Sequence, residues 1–187
     1  MNTNVIAVTN RTLCQCPFTE QVERVCRFQP KALILREKDL TENEYELLAK
    51  KVLELCHIYR IPCILHTYPE AARRLDCHNI HLPLPLLRKF ASQLEDFTLV
   101  GTSVHSVDEA SEAERLGADY ITAGHIYATD CKKGLPPRGT SFLQEVCRRV
   151  SIPVYAIGGI HLNPEQLEEV KNCGAAGACI MSGMMRL

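Results

Sequence analysis

No apolar run in this sequence approaches the length of a membrane span. The first residues, MNTNVIAVTNRTL, have neither the charged n-region nor the long apolar h-region of a signal peptide. A cytoplasmic protein with no membrane partner is expected. A basic stripe or polybasic helix is also missing: 21 Lys and Arg stand interspersed with 22 Asp and Glu, for a net charge of −1. That balance argues against nucleic acid and an anionic membrane surface, and favours a small ligand. Cys14 and Cys16 have no second Cys or His pair at a finger-like distance, so zinc is not expected. The ten cysteines are scattered irregularly through apparent strands and helices of a chain too long to need staples. Reduced thiols are expected rather than a disulfide framework.

What is present suits one globular domain with a sizeable core: 187 residues, 46% hydrophobic and 23% charged. Short β-rich runs recur at intervals too long for hairpins: VIAVTN (5–10), ALILRE (32–37), CILH (63–66), IHLPL (80–84), LVGTSVH (99–105), YITAGHIY (120–127), PVYAIGG (153–159) and GACIMSG (177–183). Between them lie amphipathic helical patterns. Residues 41–60 repeat apolar side chains at Tyr45, Leu48, Val52 and Leu55, and 106–117 opens with Ser106 and Glu109 in capping-box spacing. Buried strands alternating with helices imply a parallel sheet, and eight repeats permit a (β/α)₈ TIM barrel over residues 1–187. An open doubly wound sheet is the alternative, but TNRTLCQ after the first strand carries no Gly-rich nucleotide fingerprint.

Two features strain the barrel. The 67–79 connection is short for a helix, and Leu187 follows closely on the eighth strand, so the last helix is expected to be truncated or absent. The outer faces of the first, seventh and eighth strands would then expose apolar side chains, which either a homo-oligomer or a chain extending past Leu187 would cover.

A barrel of this kind places its active site at the C-terminal strand ends. There the chain has Arg36, Glu37 and Lys38, then His66 and Thr67, then TSVHS, and then TAGHIYATDCKKG (122–134). Gly158 with Gly159, and Ser182 with Gly183, follow the last two strands, where barrels commonly hold phosphate on main-chain N–H groups. A phosphorylated small molecule is the expected substrate class, although such glycines also serve tight turns. His66, His81, His105 and His161 share no metal-ligand spacing and receive no chemical role. Cys131, beside Lys132 and Lys133, is a candidate for a lowered pKa.

The stretches REK (36–38), GTSVHS (101–106), GADYITAGHIYATDCKKG (117–134), IPVYAIGGI (152–160) and GAAGACIMSG (174–183) together resemble the thiamine phosphate synthase superfamily. The similarity spans nearly the whole chain and is densest from Leu99 to Gly183. Synthases of the superfamily usually carry proline after the glycine at 124. His125, with the run TDCKKG, resembles the thiazole tautomerase (TenI) branch instead. Synthases also have a Gln two residues before the strand-two Arg, an Asn-Asp pair after the third strand and an Asp after the fourth, the aspartates holding magnesium. Here those places hold Ile34, His66 with Thr67, and LPLPLL. A hard Mg²⁺ ion has no good ligands among them.

The resemblance implies an isomerase of thiamine biosynthesis that aromatises a carboxylated dihydrothiazole ethyl phosphate to carboxythiazole phosphate, with no metal or cofactor. His125 is the implied proton shuttle, since imidazole titrates near neutrality. Arg36, Lys38, Ser103, Thr129 and Lys132 are the implied substrate-binding residues, with phosphate at Gly158, Gly159, Ser182 and Gly183. Bland readings stand beside these: inherited charges for Arg36 and Lys38, a solvated pair for Lys132 and Lys133, and a backbone-bonded hydroxyl for Ser103. The alternative functions are a thiamine phosphate synthase and a non-catalytic regulator that binds thiazole phosphate.

Overall fold

The computed structural model describes residues 3–132 and 134–187. Its apolar runs form eight parallel strands: β1 (Thr3–Val8), β2 (Pro30–Leu35), β3 (Cys63–His66), β4 (Asn79–Pro83), β5 (Leu99–Val104), β6 (Tyr120–Gly124), β7 (Val154–Ile157) and β8 (Gly177–Ile180). They close into a barrel in sequence order, the (β/α)₈ architecture expected. The runs read as continuous rather than alternating because both strand faces are covered, and β3 and β8 are buried at every residue.

Seven α-helices alternate with the strands among the described residues: α1 (Phe18–Phe28), α2 (Glu42–Tyr59), α3 (Pro69–Arg74), α4 (Leu84–Phe90), α5 (Val107–Arg115), α6 (Gly139–Arg149) and α7 (Pro164–Asn172). The short 67–79 connection therefore does contain a helix, of six residues with proline in its first turn. Helix α2 starts where Thr41 and Glu44 form a full capping box, and it buries Tyr45, Ala49, Val52 and Cys56. At α5 only half of the expected box forms. Ser106 accepts from the Glu109 N–H at 3.1 Å, but the Glu109 carboxylate takes the N–H of His105, at 2.5 Å. None of these helices crosses a membrane: among the described residues none is long and apolar enough.

The residues group into two compact units, one running up to His81 and including Met181–Leu187, the other Leu82–Ile180. In the first, Leu33 is set against Cys63 and Leu65 against Ile80. In the second, Val104 is set against Ala123, Gly124 against Ile157, and Ile157 against Cys179. Among the described residues, the segment after β8 forms a 3-10 turn, Met184–Arg186. Within the first unit the buried Gln21 side chain donates to the Met184 carbonyl at 2.7 Å, and Met184 and Met185 are fully buried.

The expectation of exposed apolar side chains on the first, seventh and eighth strands is not met. Val5–Val8, Val154–Ala156 and Gly177–Ile180 are all buried. The nine described cysteines are free thiols, as expected; the Cys26 and Cys56 sulfurs, 4.0 Å apart, remain unbonded where α1 packs on α2.

Candidate active site

In the first unit, the ends of β2, β3 and β4 gather two cations and two imidazoles. Glu37 is the anchor. Its buried carboxylate accepts from the Thr9 hydroxyl at 2.7 Å, from the Arg11 N–H at 3.1 Å and from the Arg11 guanidinium at 3.2 Å. The Thr9 oxygen in turn accepts from the Arg36 N–H at 2.9 Å. The strand end that carries half-buried Arg36 and exposed Lys38 is thereby fixed from its other side. Tyr45 secures the next strand: its hydroxyl donates to the Leu35 carbonyl and accepts from the His66 N–H, both at 2.7 Å.

His66 and His81, opposite each other in the β3–β4 register, are buried and stacked. Burial holds the His66 imidazole well below its usual pKa, and the charges of His81, Arg36 and Lys38 push it the same way. His81 is brought down to about 3, again by burial first and by Arg36 second. Both rings are therefore neutral at physiological pH. Next to them Thr67 has φ of +74°, a left-handed backbone that a β-branched residue rarely adopts. Its N–H donates to the His81 carbonyl at 3.1 Å, and its hydroxyl shares a hydrogen bond with His66 Nδ1 at 2.5 Å.

In the second unit, β6 ends in buried Gly124 and His125, which are joined by a cis peptide bond. The main chain around His125 is gripped repeatedly. Its carbonyl accepts from the Arg138 N–H at 3.0 Å, and the next N–H, of Ile126, donates to Ile157 at 3.0 Å. Gly158, at φ +96°, lies so close that a Cβ there would overlap the His125 Cβ and sit 2.7 Å from its Cα. Gly159, at φ +71°, passes against the carbonyls of Tyr127 and Ala128. Both glycines thus serve the packing of the His125 loop, whatever they bind. The Tyr127 hydroxyl donates to Glu169 of α7 at 2.6 Å, tying the same loop outward.

The His125 ring is 9% exposed, and its Nε2 faces the Leu135 carbonyl at 3.4 Å. A carbonyl only accepts, so Nε2 carries the hydrogen in this arrangement and Nδ1 is the basic nitrogen. Ser103 accepts from the Thr122 hydroxyl at 2.9 Å. Thr129 is half-buried and Lys132 exposed, on the 3-10 turn Asp130–Lys132. The Cys131 side chain and Lys133 lie outside the described residues. Ser182 and Gly183 follow β8, half-buried, with Gly183 opening the 3-10 turn.

The sequence profile of one family, described as thiamine monophosphate synthase, matches residues 5–184. The chain belongs to that family. It is 34% identical over 174 residues to thiamine-phosphate synthase 2 of Streptococcus pneumoniae serotype 4, covering 90% of this chain and 80% of that one. With the thiamine-phosphate synthase of Fusobacterium nucleatum it shares 30% over 185 residues, covering 97% and 88%. Among solved structures, a thiamine phosphate pyrophosphorylase from Pyrococcus furiosus superposes with a TM-score of 0.80 at 28% identity, over 97% of this chain and 86% of that one.

The ends of β3 and β4 decide whether this chain could hold magnesium. Magnesium takes oxygen ligands, carboxylates above all. The side chains here are two neutral stacked imidazoles, the Thr67 hydroxyl and the apolar Leu82, Leu84, Leu86 and Leu87. The nearby carboxylate of Glu37 is already taken by Thr9 and Arg11. Among the described residues no group of three or more His, Cys, Asp or Glu side chains is placed to share a metal. This donor set does not fit a magnesium ion.

Three positioning groups escape a reading of the sequence: Glu37, Tyr45 and Tyr127. Glu37 sits inside REK, yet its flanking cations draw the attention. Tyr45 reads as one more apolar residue on the buried face of α2, since its hydroxyl acts only across the fold.

Proposed function

We propose that this chain is a thiazole tautomerase of thiamine biosynthesis, aromatising a carboxylated dihydrothiazole ethyl phosphate to carboxythiazole phosphate. The observation that carries this reading is the donor set at the ends of β3 and β4, neutral imidazoles where a metal–pyrophosphate site needs carboxylates. His125 supplies the chemistry. Its basic nitrogen takes the ring proton, and the imidazolium so formed delivers a proton to the exocyclic alkene carbon, leaving atoms and charge balanced. Arg36 and Lys38 engage the substrate carboxylate, for which guanidinium offers a bidentate fork. Ser103, Thr129 and Lys132 line the substrate, and main-chain N–H groups in the segments after β7 (Gly158, Gly159) and β8 (Ser182, Gly183) hold the phosphate.

The names of the relatives favour a second reading, a thiamine-phosphate synthase that joins a pyrimidine diphosphate to thiazole phosphate. One pair of assays separates the two. The dihydrothiazole tautomer is incubated with the protein in EDTA and aromatisation is followed by ring absorbance; in parallel, pyrimidine diphosphate, thiazole phosphate and Mg²⁺ are assayed for thiamine phosphate. Turnover in the first and none in the second is expected. Magnesium-dependent thiamine phosphate with no aromatisation would replace the tautomerase by the synthase.

A further inference from the structure

His125 has a neighbour whose position is not accidental. The β5–β6 register sets Val104 against Ala123, and one step further along both strands stand His105 and Gly124. The His105 ring reaches across: its Nδ1 lies 2.7 Å from the Gly124 carbonyl. Because a carbonyl has no proton to give, His105 Nδ1–H is the donor. The main chain of His105 is pinned as well, its N–H donating to the Glu109 carboxylate at 2.5 Å, while Glu109 is itself capped onto Ser106. A rigid link thus runs from the start of α5, through the His105 ring, to the peptide that carries His125.

We infer that His105 is a positioning residue for His125, holding the Gly124–His125 peptide so that the imidazole meets the reacting carbons. The inference rests on the proposed role of His125. His105 is solvent-exposed and contributes little to the core, so its ring is not explained by packing. A donor on Nδ1 persists whether the ring is neutral or protonated, so the grip does not depend on pH. The holds from Arg138 and Ile157 next to this peptide are backbone to backbone, and the side-chain tie from Tyr127 to Glu169 lies two residues further along the loop. A side-chain donor beside the catalytic peptide is the one a substitution can remove cleanly.

The test compares His105→Leu, which keeps bulk without a donor, with His105→Asn, whose amide N–H replaces Nδ1–H. Misplacement of a reacting group by about 1 Å costs on the order of a hundredfold. For aromatisation, His105→Leu is expected to lose kcat by roughly ten- to a hundredfold at an unchanged KM, with His105→Asn close to wild type. In parallel, the His125 Cε1–H proton resonance, assigned by its absence in His125→Gln, should move in His105→Leu and stay in place in His105→Asn. Wild-type kcat with an unmoved resonance in His105→Leu, a change in KM alone, or an Asn variant as impaired as the Leu variant would overturn the inference. If the wild-type protein does not aromatise the thiazole at all, the proposed function fails, and the resonance comparison still decides the positioning role.

Discussion

His66 and His81 stack with ring centroids 5.5 Å apart and planes 19° from parallel, at the ends of adjacent strands. Two charged imidazoles would repel at this distance, and Arg36 adds to the field that opposes charging them. Burial above all keeps these two ionisable groups uncharged beside a cation-rich strand end, with Arg36 acting on both rings in the same direction.

That arrangement makes stability depend on acid. The unfolded chain protonates these histidines near pH 6.5, whereas folded His81 holds out to about 3 and folded His66 is also lowered. In that window the unfolded state binds more protons, so stability is complete above about pH 6.5 and falls on acidification, by up to about 1.4 kcal/mol per pH unit for each ring. Urea denaturation at pH 7.5 and pH 5 should show this drop. A His66→Asn, His81→Asn protein should show a clearly flatter profile, and equal pH dependence in both proteins would remove the two rings as its source.

Replacing His125 separates shape from proton transfer. His125→Gln keeps most of the volume but cannot cycle a proton, so kcat for aromatisation should fall roughly a hundredfold or more. Binding of carboxythiazole phosphate, measured by calorimetry, should persist. A variant that turns over near the wild-type rate would leave a bound water as the proton carrier.

Gly158 has no room for a side chain: a Cβ there would overlap the His125 Cβ. Gly158→Ala should destabilise the protein by about 1–3 kcal/mol through its positive φ and the overlap with His125, and should depress turnover through the same displacement. Urea titration and steady-state kinetics on one preparation check both effects. Gly159→Val does not isolate phosphate binding, since its side chain would press on the Tyr127 and Ala128 carbonyls.

Removing the Glu37 carboxylate should be costly. Glu37→Ala leaves the Thr9 hydroxyl and the Arg11 donors without their buried acceptor, an expected loss of about 3 kcal/mol or more. Because Arg36 hangs from Thr9, KM for a carboxylated substrate should rise as well. Full stability in this variant would show that water replaces the carboxylate without cost.

Much of the scaffold is legible in the chain. CILH coincides with β3, and all eight candidate runs overlap a strand, because strands buried on both faces leave continuous apolar runs. Their ends are less legible. YITAGHIY continues apolar to Tyr127, while β6 stops at Gly124, where the chain turns to present His125. The Ser106–Glu109 spacing names the right helix start but not the partner of Glu109, which is decided by where His105 lies. Gly158 and Gly159, read as ligand-facing, are also places where the His125 loop itself comes close, a contact between segments some thirty residues apart that no local pattern records. In the same way, the two histidines of β3 and β4 carry no sequence spacing of interest, and only the register brings their rings together.

Arg11 spans two environments. Its Nη1 meets Glu37, whose side chain is 1% exposed, and Nη1 and Nη2 together fork onto Asp39, 57% exposed, at 2.5 and 2.6 Å. Dissolved salt screens the outer pair strongly and the inner one hardly at all. Raising the ionic strength therefore weakens the Asp39 fork while the Glu37 contact stays fastened, so the segment after β1 can loosen at its rim without releasing Thr9 or the strand end that Thr9 supports.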